Sequence, residues 1–127
     1  MKMNFLSLII GLLLLVCCNQ LNNRFVRKRV EDGHISICWY YYSYISNVSP
    51  DFVEVQKGNE VKRIYEAVDV VTDVILKNDT ILIKLFEPER GIVYTDSVLT
   101  KVFDYHIVFD DNSTYLEYRE TPDGVKE

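Results

Sequence analysis

Apolar and polar residues alternate with a period of two along most of the chain after residue 33, the signature of half-buried strands. From His34 to Ile45, one parity holds Ile35, Ile37, Trp39, Tyr41 and Ile45. The other holds Ser36, Cys38, Tyr40, Tyr42 and Tyr44. Both faces are largely apolar and rich in aromatic and β-branched residues, which predicts a long central strand. Asn47 to Asp51 reads as a turn, because Pro50 fixes φ and Asn47 and Ser49 can bond local backbone. Phe52 to Gln56 reads as a short strand, followed by a tight turn at Lys57-Gly58-Asn59. Glu60 to Val68 supports two readings. Val61, Ile64, Tyr65 and Val68 have helical spacing, with Asn59 as an N-cap, while the short preceding turn favours the return strand of a hairpin.

The clearest hairpin is Val70–Leu76 and Thr80–Phe86 across Lys77-Asn78-Asp79. In it Val74, Leu76, Leu82 and Phe86 are expected to point inward, around Lys84. Glu87 to Gly91 reads as a loop, and Ile92–Thr95 and Val98–Leu99 as short strands. Val102–Phe109 reads as one alternating strand, and Asp110 to Ser113 turns it back into a strand over Thr114–Arg119. Turns every 8–12 residues predict an all-β domain over residues 34–119: a single antiparallel sandwich or small barrel, with room for one short helix. Its expected core contains Trp39, Val74, Leu82, Phe103 and Ile107. Residues 18–33 are polar and basic without a period and read as a tether; residues 120–127 read as a flexible tail.

The beginning of the chain breaks this pattern. Phe5 to Val16 is an uncharged apolar run behind a single Lys2. It is too short to span a hydrocarbon core, which needs about 20 residues as a helix. Its length suits the apolar region of a signal peptide over residues 1–17. No Ala-x-Ala-like cleavage site follows. Leu15-Val16-Cys17-Cys18 instead resembles a bacterial lipobox, in which an apolar residue stands three before the cysteine that becomes lipidated. Cys18 fits that position better than Cys17, since taking Cys17 would put Val16 where a small residue belongs. Asn19, rather than Asp, follows Cys18. The resemblance then implies an outer-membrane lipoprotein, and the absence of acids in Gln20-Leu21-Asn22-Asn23 implies that it faces the periplasm.

Charge and cysteine content narrow the functions. The chain carries 14 basic and 19 acidic residues, for a formal charge of −5. Lys2 is the only charge in residues 1–17, so the remainder has 13 basic residues against 19 acidic ones, a net of −6. Nucleic-acid binding calls for a basic face and is not expected. About 100 residues support one core. With Cys17 removed and Cys18 acylated, Cys38 stands alone, so no intramolecular disulfide can form.

Candidate chemistry is sparse. His34 and Cys38, four apart on one strand, lie roughly 13 Å from each other, whereas two zinc ligands sit within about 4 Å; no metal or other cofactor is expected. A Cys38–His106 pair would need assembly by folding, and a cysteine inside a central strand is usually an inert apolar residue. The acids Glu87/Glu89 and Asp110/Asp111 fall in turns, where they are solvated. Asp110-x-Asn112 is too short a loop for an EF-hand.

The dense aromatic band is the strongest candidate surface. Core packing would account for the whole band of Trp39, Tyr40, Tyr41, Tyr42 and Tyr44; the functional reading is that Tyr40, Tyr42 and Tyr44, on one parity, expose an aromatic ladder as the candidate ligand-binding residues, because tyrosine is enriched at interfaces. Asp79-Thr80-Ile81 and Asp96-Ser97-Val98 resemble the short O-glycosylation signal of Bacteroidetes envelope proteins. Together with the lipobox they make the chain similar to small Bacteroidetes-type envelope lipoproteins, a resemblance that brings no activity or active site. The expected function is a non-enzymatic envelope lipoprotein, held to the membrane by its lipid, that acts as an interaction or structural module toward a protein partner. The alternative is a periplasmic inhibitor or immunity protein against a hydrolase or toxin, acting through an acidic loop such as Glu87 to Arg90.

Overall fold

The computed structural model describes residues 23–44, 47–88 and 99–127. The signal-like run, Cys17, Cys18, Ile92–Thr95 and Asp96-Ser97-Val98 lie outside the described residues.

Among the described residues, nine strands form two stacked sheets. The larger contains β1 (Arg24–Glu31), β2 (Ser36–Tyr42), β3 (Asp51–Lys57), β4 (Glu60–Ala67) and β9 (Val125–Lys126) in the order β4-β3-β2-β1-β9. The smaller contains β5 (Val71–Lys77), β6 (Thr80–Leu85), β7 (Lys101–Val102) and β8 (Tyr105–Asp110) in the order β5-β6-β8-β7. All neighbours are antiparallel except β6 and β8, which run parallel. The result is an all-β sandwich with one short helix, α1 (Tyr115–Arg119).

The alternation along β2 sorts as the sequence indicates. Ile35, Ile37 and Trp39 enter the core between the sheets, with Val53 and Val55 of β3, Val74 of β5, Ile81 and Ile83 of β6, and Ile107 of β8. Residues 60–67 are the return strand of a hairpin, not a helix, paired Lys57 to Glu60 across Gly58-Asn59. Gly58 takes φ 59°, a left-handed value that a side chain would disfavour. A bulge between Arg63 and Tyr65 lets Ile64 and Tyr65 both point inward.

Six expectations are corrected. Residues 24–31 are not a tether but β1, paired with β2 along its whole length. A bulge at Arg27 breaks the period, and the basic side chains lie over aromatic rings or beside carboxylates. The C-terminal residues are not a loose tail. Val125 and Lys126 pair with Val26 and Phe25, and Glu127 donates its backbone N–H to the Arg24 carbonyl at 3.0 Å. Gly124 lies so close to the Phe25–Tyr41 stack that an added Cβ would come within 2.4 Å of the Tyr41 ring. Leu82 is half-buried on the outer face of β6, because Ile81, Ile83 and Leu85 occupy the inner parity. Phe103 is also only partly buried, at the core margin. It begins a two-residue turn with Asp104, both at positive φ, that divides the expected Val102–Phe109 strand into β7 and β8. Finally, Thr114–Arg119 is helical: Thr114 and Glu117 form a capping box, each accepting the other's backbone N–H.

Polar groups buried at one end of the core lie together. Trp39 is fully buried and donates its indole N–H to Asp51 Oδ2 at 2.9 Å. Arg27 Nε lies 3.1 Å from the same oxygen, and Arg27 also donates to the Pro122 carbonyl at 2.7 Å. Burial pushes the Asp51 carboxyl up, against the opposing pull of Arg27 and the indole hydrogen bond. At the opposite end, the Tyr105 hydroxyl donates to Asp32 at 2.6 Å, joining the β1–β2 turn to β8.

Trp39→Ala should lower unfolding free energy by about 3–5 kcal/mol, since it empties a core site and removes one of the two partners of Asp51; denaturant titration checks this, and an unchanged midpoint would refute the core assignment. A second expectation concerns acid. The Tyr105 hydroxyl, with the backbone N–H groups of Ile35 and His34, lowers Asp32 from an ordinary 3.8 to about 2. A depressed carboxyl contributes stability above the unfolded value that is lost as pH falls from about 3.8 toward 2. Tyr105→Phe should move the Asp32 midpoint, followed by carboxyl NMR, upward toward 3.8.

Candidate binding face of the five-stranded sheet

The face of the larger sheet turned away from the core carries a second apolar cluster of Cys38, Tyr40 and Phe52, with Val26 and Tyr42 packed against it. Period two puts Cys38, Tyr40 and Tyr42 here once Ile37 and Trp39 face inward. Tyr40 pairs with Val26 on one side and Phe52 on the other, so the rings meet across strands. Tyr40 and Tyr42 pack edge to face at 5.6 Å, Tyr40 and Phe52 stack at 5.4 Å, and Tyr42 and Tyr44 stack at 6.4 Å. The ladder is graded along β2: Tyr40 is 1% exposed, Tyr42 half-buried and Tyr44 49% exposed.

Among the described residues, no second layer of strands covers Tyr40. Its cover is a charged lid made by neighbouring strands. The Arg24 guanidinium lies 3.9 Å from the Tyr40 ring centre, and that of Arg63 lies 4.2 Å from the Phe52 ring centre. Both stack on aromatic faces while staying in reach of carboxylates. Glu54, opposite Cys38 in the β2–β3 register, sits between them at 4.0 Å from Arg24 and 3.9 Å from Arg63. It also accepts the Tyr40 hydroxyl. Burial, and then that hydrogen bond, push the Tyr40 phenol well up. Arg24 donates to Cys38 Sγ at 3.1 Å and reaches Glu127 at 3.1 Å; Arg29 meets Glu127 at 2.7 Å. The cations are thus matched by carboxylates, and the face has no free charge excess that would select an anion.

The three sequence candidates are therefore together but not equivalent. Tyr40 is held inside the lid, Tyr42 lines the surface, and Tyr44 is open to a ligand. Arg24, Arg63, Phe52 and Glu54 complete the surface and were not singled out. Their signal was present as an aromatic-cation alternation on adjacent strands, yet only the register makes them neighbours.

The catalytic candidates are separated. Cys38 lies on the outer face of the larger sheet. His106, paired with Thr80, lies on the outer face of the smaller one, so the sandwich stands between them. His34 is exposed in the β1–β2 turn. Asp110 and Asp111 flank the end of β8 without a partner carboxylate across a cleft. Among the described residues there is no group of three His, Cys, Asp or Glu placed to hold a metal, and no helix long and apolar enough to cross a membrane.

No protein-family model matches the chain, and neither a curated protein nor a solved structure gives a match.

Stability and exposure should separate along the ladder. Tyr40→Phe removes one charge-assisted hydrogen bond from Glu54 and is expected to cost about 1–3 kcal/mol. Tyr44→Ala should stay within about 0.5 kcal/mol of the parent. Parallel denaturant titrations of the two variants check the order, and equal losses would show that Tyr44 also belongs to the packed cluster.

Proposed function

We propose that this chain is a non-enzymatic envelope lipoprotein, anchored through Cys18, that binds a protein partner on the outer face of its five-stranded sheet. The observation that carries the binding reading is the ladder itself: stacked rings that run from buried Tyr40 to exposed Tyr44 on a face that no other described element covers. Tyrosine on a rigid strand offers large contact area at small cost in rotamer freedom. The paired Arg24, Arg63 and Glu54 add hydrogen-bonding capacity around the rings, the composition of a protein contact more than of an anion site. The Cys17-Cys18 pair behind a short apolar run supports the anchor.

The test has two readouts on the full chain expressed in a bacterial envelope. Intact mass of the membrane-bound protein should show an acyl adduct on the residue-18 cysteine; an unmodified membrane-bound chain would refute the anchor. A benzophenone amino acid placed at position 42, where it replaces a tyrosine of similar shape, should cross-link a discrete protein. The same probe at Val108, on the opposite outer face, should not. Equal adducts at both positions, or none at 42, would refute the binding face.

A further inference from the structure

Strand directions assemble one end of the sandwich from residues far apart in sequence. Asn23 enters there, accepting the Ser43 backbone N–H at 3.0 Å. Ser43 bridges to Val48, and β3 and β4 meet at the same end through Asp51 and Ala67. Val68 follows in the crossing to β5. β6 ends there at Leu85, where Phe86 packs against Tyr115 of α1, and the Tyr118 hydroxyl ties α1 to Asp69 at 2.7 Å. Both sheets and the helix therefore share this end with the start of β1.

This end also holds most of the apolar surface left open. Nine large apolar side chains are exposed among the described residues, and five of them are here: Tyr44, Val48, Val68, Tyr115 and Leu116. Val48, Tyr115 and Leu116 are each more than 60% exposed. Isolated exposed apolar residues need no explanation, whereas a concentration at one end does. The opposite end presents the polar turns Asp32-Gly33-His34, Gly58-Asn59 and Asn78-Asp79.

We propose that this apolar end is a membrane-contact surface that seats the domain on a zwitterionic lipid leaflet. It rests on the anchor reading above, because Cys18 is only five Cα steps from Asn23, a reach of at most about 18 Å. A lipid on Cys18 holds this end, and not the polar one, at the headgroups. Tyrosine and leucine are suited to that depth, where one side of a ring is apolar and the hydroxyl stays wet. The charges choose the lipid. Among the described residues exposed around this end, the acids Asp69, Glu87, Asp111 and Glu127 outnumber the bases Arg119 and Lys126. An acidic rim is repelled by anionic lipid, so phosphatidylethanolamine is the surface it fits.

The experiment uses the full-length chain purified from membranes and reconstituted in phosphatidylethanolamine–phosphatidylcholine vesicles. A small fraction of the lipid carries a photoactivatable diazirine in its headgroup. Adducts are mapped by mass spectrometry, and the residue-18 acyl mass is read from the same digest. Val61 and Val108 are the internal controls, since they are 50% and 45% exposed but lie away from this end. Headgroup adducts on Val48, Tyr115 and Leu116 should exceed those on the controls by about tenfold, the contrast between a surface at the headgroups and one facing bulk water. Even labelling across both sets would overturn the contact surface, as would cross-links from this end to protein in place of lipid. The acyl mass decides the anchor separately: labelling confined to this end without an acyl adduct would keep the surface and discard the anchor, and an acyl adduct with even labelling would do the reverse. Replacing half the lipid with phosphatidylglycerol should reduce labelling at Tyr115 and Leu116 severalfold, and an increase would overturn the choice of a zwitterionic leaflet.

Discussion

Asp51 is the point on which the packing of the larger sheet depends. It is a carboxylate at 4% exposure that receives the Trp39 indole and the Arg27 guanidinium on one oxygen. A buried charge is tolerated only when it is paired and hydrogen-bonded, and removing one partner typically costs about 3–5 kcal/mol. That requirement reaches across the molecule. Asp51 begins β3, Trp39 lies in β2 and Arg27 in β1. Arg27 goes on to hold the Pro122 carbonyl of the segment leading to β9. Exposed pairs such as Arg29–Glu127 contribute about 1 kcal/mol or less. The buried constellation, not the surface network, decides that the basic N-terminal stretch must lie down as a strand.

The same sheet solves a second problem, that of being apolar on both sides. Its inner side is covered by β5, β6 and β8. Its outer side has no third layer among the described residues, and two guanidinium groups do the covering. An arginine over an aromatic ring keeps its charge near water and near Glu54 while its plane shields the ring. This explains how Tyr40 is buried on an outward face, and why burial fades along β2 toward Tyr42 and Tyr44, where the arginine cover ends.

Legibility followed from how many signals agreed at each place. β2, the β3–β4 and β5–β6 hairpins and the sandwich class could be read because periodicity, turn residues and β-branched content pointed the same way. Leu82 was misplaced because Ile81, Leu82 and Ile83 are all apolar, so hydrophobicity alone cannot choose the inward parity; the pairing of Ile81 with Ile107 does. β1 was hidden by its charges. Arg24 to Arg29 look solvated until the rings and carboxylates they meet are supplied by β2, β3 and β9, which are distant in sequence. In α1 the deciding signal is the Thr114-x-x-Glu117 capping box, which the reading of Thr114–Arg119 as a strand passed over. The turn at Phe103-Asp104 carried no glycine to mark it, and a phenylalanine at φ 45° is held there by its place at the core margin, with the Lys62 amine 4.8 Å from its ring. The aromatic ladder was half legible: its tyrosines came from one strand, whereas its arginine lid exists only through register.

The two proposed surfaces are compatible because strand direction makes them perpendicular. β2 runs toward the end where Asn23 enters, so the ladder climbs from Cys38 to Tyr44 along the axis that the anchor would set normal to the bilayer. The ladder face looks sideways, parallel to the membrane plane, and the apolar end looks at the leaflet. Tyr44 sits where the two meet. A strand rises about 3.4 Å per residue, so Tyr40 and Tyr42 lie within about 15 Å of that end. A partner bound to the ladder of a seated domain would therefore lie close to the membrane, favouring a protein that is itself anchored or inserted there. Confining both proteins to one leaflet raises their effective concentration, and a modest interface on a graded aromatic strand can then suffice without the area a soluble complex requires.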